Sequence, residues 1–294
     1  MEKYIVYLAL ILLGLCLGSF SGAIMWRLRA RQLAADKHSG EKVDHGEYEK
    51  LKKLTTSSIL SSKDHSVCLN CGYKLKWYDL IPIFSWLYLG GRCRRCHKSI
   101  GYLEPLVELG MVLYFVLSYA FWPYPLSDWL GISRLVLWLL AGVPLAILFA
   151  YDAKWSLMDR KANYSLVIIG LFSALLVITG SSDKLNALYS ICGSVLILGG
   201  LYYVIYKLSG GKWVGGADPI LGLGLGLILA DWRLAFVALF AANLIGCLIV
   251  IPGLATKKLK RDSHVPFGPL LITGFVIAGL AGNYLIDLYV NNFL

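Results

Sequence analysis

Charge is what this chain lacks. Only 16% of its 294 residues are Asp, Glu, Lys or Arg, against roughly a quarter in ordinary soluble domains, while 57% are hydrophobic and the mean hydropathy is +0.65. This excludes an ordinary soluble globular protein. Acids are the scarcer sign, 18 Asp and Glu against 28 Lys and Arg, for a net charge of +10. The charges are crowded: residues 29–101 hold 21 of the 46, so the basic excess belongs to one polar insert and calls for no nucleic-acid partner. Histidine is missing from the long apolar runs. Its five copies, His38, His45, His65, His97 and His264, fall in polar segments, which leaves no intramembrane Ser–His dyad. A Gly-rich nucleotide fingerprint on a βα unit and a solenoid repeat are also absent.

What is present is a series of long apolar stretches. A bilayer-crossing helix needs about 20 mostly apolar residues, and eight candidates occur: 4–26, 103–122, 130–151, 163–180, 185–206, 217–230, 233–253 and 267–290. The sixth is short and Gly-rich. The stretch from Tyr4 to Trp26 exceeds a signal-peptide core of about 7–15 residues, and its positive flank (Arg27, Arg29, Arg31) follows rather than precedes it. It therefore reads as an anchor with its N-terminus outside. Threading eight spans from there puts loops 27–102, 152–162, 207–216 and 254–266 in the cytoplasm. Those loops carry 24 of the 28 Lys and Arg, as the positive-inside rule requires.

The insert has two parts. Residues 29–65 are polar, with no sustained apolar face beyond Tyr48, Leu51 and Leu54, and read as a mobile loop with at most a short surface helix. Residues 66–101 carry Cys68-Leu-Asn-Cys71 and Cys93-Arg-Arg-Cys96 around an apolar hairpin, DLIPIFSWLYLGG. Two C-x2-C pairs suit a tetrahedral zinc site, because each short turn lets both sulfurs reach one ion. Gly72 and the Arg94/Arg95 pair fit the turns and favour thiolate. Cytoplasmic placement argues against structural disulfides, leaving a redox pair or free thiols as the alternative. Four protein ligands leave no open position for a catalytic water, so the metal's expected role is structural. Cys16, Cys192 and Cys247 stand alone in apolar spans and read as packing residues. The expected fold is an all-α polytopic membrane protein of about eight transmembrane helices with a cytoplasmic zinc-binding insert after the first. Its parts are a first helix (1–28), the insert (29–101) and a seven-helix membrane core (102–294).

Intramembrane acids are expensive and usually functional. The candidates are Glu104, Glu108, Asp152, Asp218, Asp231 and Asp287. The threading ends span three at Asp152 and begins span six at Asp218, so both carboxylates reach the cytoplasmic face; Asp231 and Asp287 fall toward the outer face. Two carboxylates held together share one proton, so that one can activate water while the other hydrogen-bonds a scissile carbonyl. That is aspartyl-protease chemistry. Gly215-Gly216-Ala217 before Asp218 permits close backbone approach; Gly222, Gly224 and Gly226 read as helix packing. Gly18-Ser19-Phe20-Ser21-Gly22 fits G-x-S-x-G but lies inside an apolar span, without the strand–turn–helix context that motif needs.

With these residues in place, the chain resembles the bacterial type IV prepilin peptidases, bifunctional leader peptidases and N-methyltransferases of the intramembrane aspartyl protease class. The likeness runs through LGLCLGSF (13–20), CLNC with DLIPIFSWLYLGGRCRRC (68–96), LEPLVELG (103–110), the YD at 151–152, GGADPILGLGLGL (215–227) and VPFGPLL (265–271). It implies that Asp152 and Asp218 are the catalytic pair and that Cys68, Cys71, Cys93 and Cys96 form the metal site of the bifunctional branch. It further implies a multi-pass protein of the bacterial inner membrane acting on prepilins or pseudopilins in the lipid bilayer, for pilus assembly or type II secretion. Such enzymes cut just after a Gly and methylate the new N-terminal amine, typically of Phe, with S-adenosylmethionine. Departures are Ala217 in the third place of the G-x-G-D motif, Ile220 for a frequent Lys, Met158 for a frequent Pro, and Arg27-Leu28-Arg29 for Arg-x-Pro; they bear on substrate preference. Glu104 and Glu108, one helical turn apart beside the insert, are candidates for methyl transfer or partners for its arginines. The competing readings are a metal or proton transporter with a zinc-binding loop and a membrane thiol-redox enzyme.

Overall fold

The computed structural model describes residues 2–54, 66–257 and 265–293 and divides into two compact units, Met1–Val116 and Leu117–Leu294. The first is built on α1 (Glu2–His38), a helix of 37 residues. A bilayer takes about 20 of these. The remaining turns continue because residues 27–38 contain neither Gly nor Pro and are rich in Arg, Ala, Leu and Gln, all good helix formers. The expected loop from residue 29 is thus corrected. Ala30 and Leu33 on the α1 extension bury against Leu51 and Leu54, with Trp26, Val43, Tyr48, Val67 and Leu69 packed around them.

Helix α2 (His45–Leu51) joins that small core. Its N-cap, Asp44, accepts the Gly46 and Glu47 N–H groups at 2.7 and 3.1 Å, and Arg29 pairs with Glu47 at 2.6 Å. The mobile-loop expectation therefore fails for residues 29–54; its last stretch, 55–65, lies outside the described residues. Further along come the short α3 (Phe84–Tyr88) and α4 (Leu103–Ala120). Helix α4 crosses α1 backbone to backbone: a Cβ on Gly14 would stand 2.8 Å from Val112 Cα, and one on Gly18 2.6 Å from Glu108 Cα. Ser21, fully buried, donates its hydroxyl to Leu17 O within α1. The G-x-S-x-G segment is helical packing, not a nucleophile elbow.

The second unit contains α5 (Trp129–Trp155), α6 (Arg160–Gly180), α7 (Lys184–Val195), α8 (Leu201–Ser209), α9 (Asp218–Leu229), α10 (Trp232–Ala255) and α11 (Gly268–Phe293). A π-helical turn, Leu196–Gly200, joins α7 to α8 in one apolar rod, Lys184–Ser209. Among the described residues, seven helices are long and apolar enough to cross a membrane. The eighth expected span is α9, whose 12 residues reach only about 18 Å at ~1.5 Å per residue. It is a half-length helix held among the others.

Glycine lets α9 fit there. A Cβ on Gly222 would strike the Leu198 carbonyl of the π turn; one on Gly226 would lie 2.9 Å from Ser194 O, and one on Gly224 3.1 Å from the Leu166 side chain of α6. Ser194 and Ser173, both buried, donate to the α9 carbonyls of Gly226 (2.8 Å) and Ile228 (3.3 Å). The α9 glycines are packing residues, as expected. Outward faces carry Phe172, Leu175, Phe236, Phe240 and Ile251, each more than half exposed, the apolar exterior that lipid, not water, accommodates.

Candidate active site and metal centre

Asp152 occupies the last turn of α5. The helix ends where Ser156 takes a left-handed conformation (φ 52) and returns its N–H to Asp152 O at 2.8 Å. The Asp152 carboxylate is 5% exposed, and its Oδ2 accepts the Gly268 N–H at 2.9 Å. Gly268 opens α11. A Cβ there would run into Met158 Cε and stand 2.7 Å from Asp152 Oδ2, so a larger residue would have to push both side-chain ends aside.

Asp218 opens α9, with Pro219 beside it in the first turn, where a missing N–H costs nothing. Asp218 is 8% exposed, and its Oδ2 accepts the Gly215 N–H at 2.8 Å while its own N–H donates to Gly215 O at 3.2 Å. The GGAD segment is a tight turn folded on its own carboxylate.

Helix register shows that both acids lie at one end of this unit. Gly224 meets Leu166 and Val167, Gly170 meets Leu227, and Ser173 meets Ile228, so α6 and α9 run parallel. Asp218 then falls level with the start of α6, only a short turn after Asp152. Helix α11 runs antiparallel to α5, since Gly268 meets Asp152 whereas Phe275 and Gly279 meet Trp138. Phe267 packs its ring at a tilt against Tyr202 of α8, with ring centroids 5.2 Å apart. Asp231 caps α10 at the far end of α9 and pairs with Arg233 at 2.9 Å. Asp287 follows Gly268 by about five helical turns. Neither joins Asp152 and Asp218.

The sequence reading assigned no role to three neighbours: Gly268, Met158 and Asn163. Gly268 belongs to the quoted VPFGPLL motif and Met158 to a noted departure, so signals existed. Asn163 carried none.

The four cysteines form two copies of one turn. Gly72 N–H donates to Cys68 O and His97 N–H to Cys93 O, both at 2.9 Å; Cys68 N–H donates to Tyr73 O and Cys93 N–H to Lys98 O, again at 2.9 Å. Gly72 and His97 both have positive φ, 71 and 53, and one isolated β-bridge closes each turn, Val67 with Lys74 and Arg92 with Ser99. The four Sγ atoms lie within 4.8 Å of one another, Cys68–Cys96 and Cys71–Cys93 at 3.9 Å. A tetrahedral ion with metal–sulfur bonds of about 2.3 Å spaces its sulfurs by about 3.8 Å, so the set fits a metal. Burial pushes the Cys68 thiol up to about 12. Cys93 is also desolvated, yet the Cys96 and Arg95 N–H groups bring it down to about 7. A bound cation would favour thiolate at all four.

Glu104 and Glu108 do not pair with the insert's arginines among the described contacts. Glu104 Oε1 accepts the Trp26 indole N–H at 2.8 Å. Glu108, buried, accepts the Ile83 N–H at 2.7 Å and steadies a residue with φ 58, a conformation β-branched side chains avoid. Arg94 pairs instead with Asp79 at 2.8 Å.

Comparison with known proteins places these features in a family. A model of the bacterial peptidase A24 N-terminal domain matches residues 12–122. A prepilin leader peptidase/N-methyltransferase of Pseudomonas aeruginosa is 27% identical over 282 residues, 96% of this chain and 92% of its own. One from Aeromonas hydrophila is 31% identical over 229 residues, 78% of this chain and 76% of its own. A type 4 prepilin-like proteins leader peptide-processing enzyme of Escherichia coli is 30% identical over 289 residues, covering 94% of this chain and 93% of that one. No solved structure matches. On this likeness along nearly its whole length, the chain belongs to the prepilin leader peptidase/N-methyltransferase family.

Proposed function

We infer that Asp152 and Asp218 are the catalytic pair with which this enzyme cuts the leader from prepilins or pseudopilins before N-methylating the new terminus. The observation that carries the assignment is two buried carboxylates, on different helices, brought to one end of the membrane unit by the parallel packing of α6 on α9. In the reaction, one carboxylate takes a proton from water as the oxygen adds to the scissile carbonyl, and the protonated partner hydrogen-bonds the carbonyl oxygen. Collapse of the tetrahedral intermediate breaks the C–N bond and hands a proton to the departing amine. The Gly268 and Gly215 N–H groups hold each carboxylate by one oxygen. The transporter reading is not favoured.

The basic loops put the acids and the insert at the cytoplasmic side of the inner membrane, with the N-terminus outside. The substrate's basic leader then stays in the cytoplasm while its apolar helix lies in the bilayer. Cys68, Cys71, Cys93 and Cys96 would hold Zn2+ in the 29–101 insert, where it supplies a structural cross-link. S-adenosylmethionine would supply the methyl group. Its usual βα cradle does not fit here, because the described residues contain only two isolated β-bridges, and no methyl-transfer step is derived.

Co-expression of Asp152→Asn or Asp218→Asn enzyme with a prepilin, followed by mass spectrometry of the pilin N-terminus, tests the pair. Each variant should leave the leader in place, and processed pilin from either would overturn the assignment.

A further inference from the structure

Asn163 is fully buried on α6, yet among the described residues its Oδ1 has no hydrogen-bond partner, and its Nδ2 donates to Met158 Sδ at a long 4.0 Å. An apolar side chain of the same size would be more stable at such a place. Its surroundings suggest why an amide is there. Asn163 lies one turn before Leu166, and thus before Gly170 and Ser173 further along, on the stripe that faces α9, which puts it within about one turn (~5.4 Å along the axis) of the level of Asp218. Met158, its neighbour, crowds Gly268 together with Asp152 Oδ2. The unmet amide thus lies near the level of Asp218 and against the flexible thioether of Met158, which also borders the Gly268–Asp152 contact.

We propose that Asn163 is a substrate-positioning residue of the leader peptidase, its carboxamide hydrogen-bonding the prepilin main chain beside the scissile bond once Met158 moves aside. The proposal rests on the Asp152–Asp218 reading above. A helical substrate must unwind where it is cut, and that frees peptide N–H and C=O groups that need new partners among the packed helices. A carboxamide, one donor end and one acceptor end, matches a peptide group on both counts.

The test is Asn163→Leu in the full-length enzyme, assayed on synthetic prepilin peptides with single ester replacements at the peptide bonds flanking the cut. Cleavage kcat should fall at least tenfold, while thermal stability rises and methylation of already-cut pilin continues. An ester that slows the native enzyme should slow Asn163→Leu no further. Unchanged kcat, equal slowing of both enzymes by every ester, or loss of stability and methylation together would overturn the proposal. Asp152→Asn and Asp218→Asn are run alongside: if they cleave, the catalytic-pair reading fails, whereas if they are inert and Asn163→Leu is unimpaired, only the role of Asn163 does.

Discussion

The α9 packing core and the cysteine insert solve the same problem by opposite means. Around α9, backbone meets backbone: Gly222, Gly224 and Gly226 remove side chains so that three helices approach, and serine hydroxyls take up spare carbonyl valence. In the cysteine segment, residues 66–101, little apolar surface is buried beyond Val67 and Leu69, and most of residues 77–102 is exposed, Trp77, Phe84, Leu87 and Tyr88 included. Its order comes from four sulfurs and a few specific hydrogen bonds. Where water is excluded, close packing suffices; where it is not, a short segment needs a cross-link.

That contrast can be broken at its strongest point by testing the metal site proposed for the four cysteines. Chelation, or Cys93→Ser, should unfold the insert, because structural zinc contributes on the order of 10 kcal/mol; proteolysis within 66–101 with the membrane helices left intact is the expected readout. Acidification should act in the same direction, since all four thiols must lose their protons to bind. Next in size is Gly222→Ala, whose methyl would strike Leu198 O. It should cost about 3 kcal/mol in detergent unfolding, whereas Gly110→Ala, with nothing within 4 Å, should be neutral or slightly stabilising.

Glu108→Leu withdraws the acceptor from the Ile83 N–H. It should cost about 1–3 kcal/mol and speed hydrogen exchange at Ile83, sharpening the view that the insert depends on few contacts. Smallest is Ser194→Ala, at about 1 kcal/mol, because redundant packing supports α9. An effect larger than that of Gly222→Ala would reverse the ranking of packing over hydrogen bonding in the membrane unit.

Much of this could be read in the chain. The long spans follow from apolar runs of about 20 residues, and the cysteine turns from C-x2-C spacing, both local signals. The shared end of Asp152 and Asp218 follows from sorting carboxylates by face, which needs only the count of crossings. The extension of α1 is not legible from hydropathy, because charged residues with high helix propensity carry the helix beyond the apolar stretch. The small core of Ala30, Leu33, Leu51 and Leu54 was missed because its members are scattered among charges. Gly268 and Asn163 acquire meaning only in three dimensions, the former through a contact 116 residues away.

The π turn at Leu196–Gly200 amounts to one surplus residue wound into a continuous rod. Deleting any one of these five would let α7 and α8 anneal into a regular α-helix, and each residue carries about 100° of rotation. Tyr202 would then swing away from its ring contact with Phe267, whose neighbour Gly268 holds the Asp152 carboxylate. The spans would keep their hydropathy and their number. A length change of one, invisible to any count of membrane crossings, would be felt at the acid.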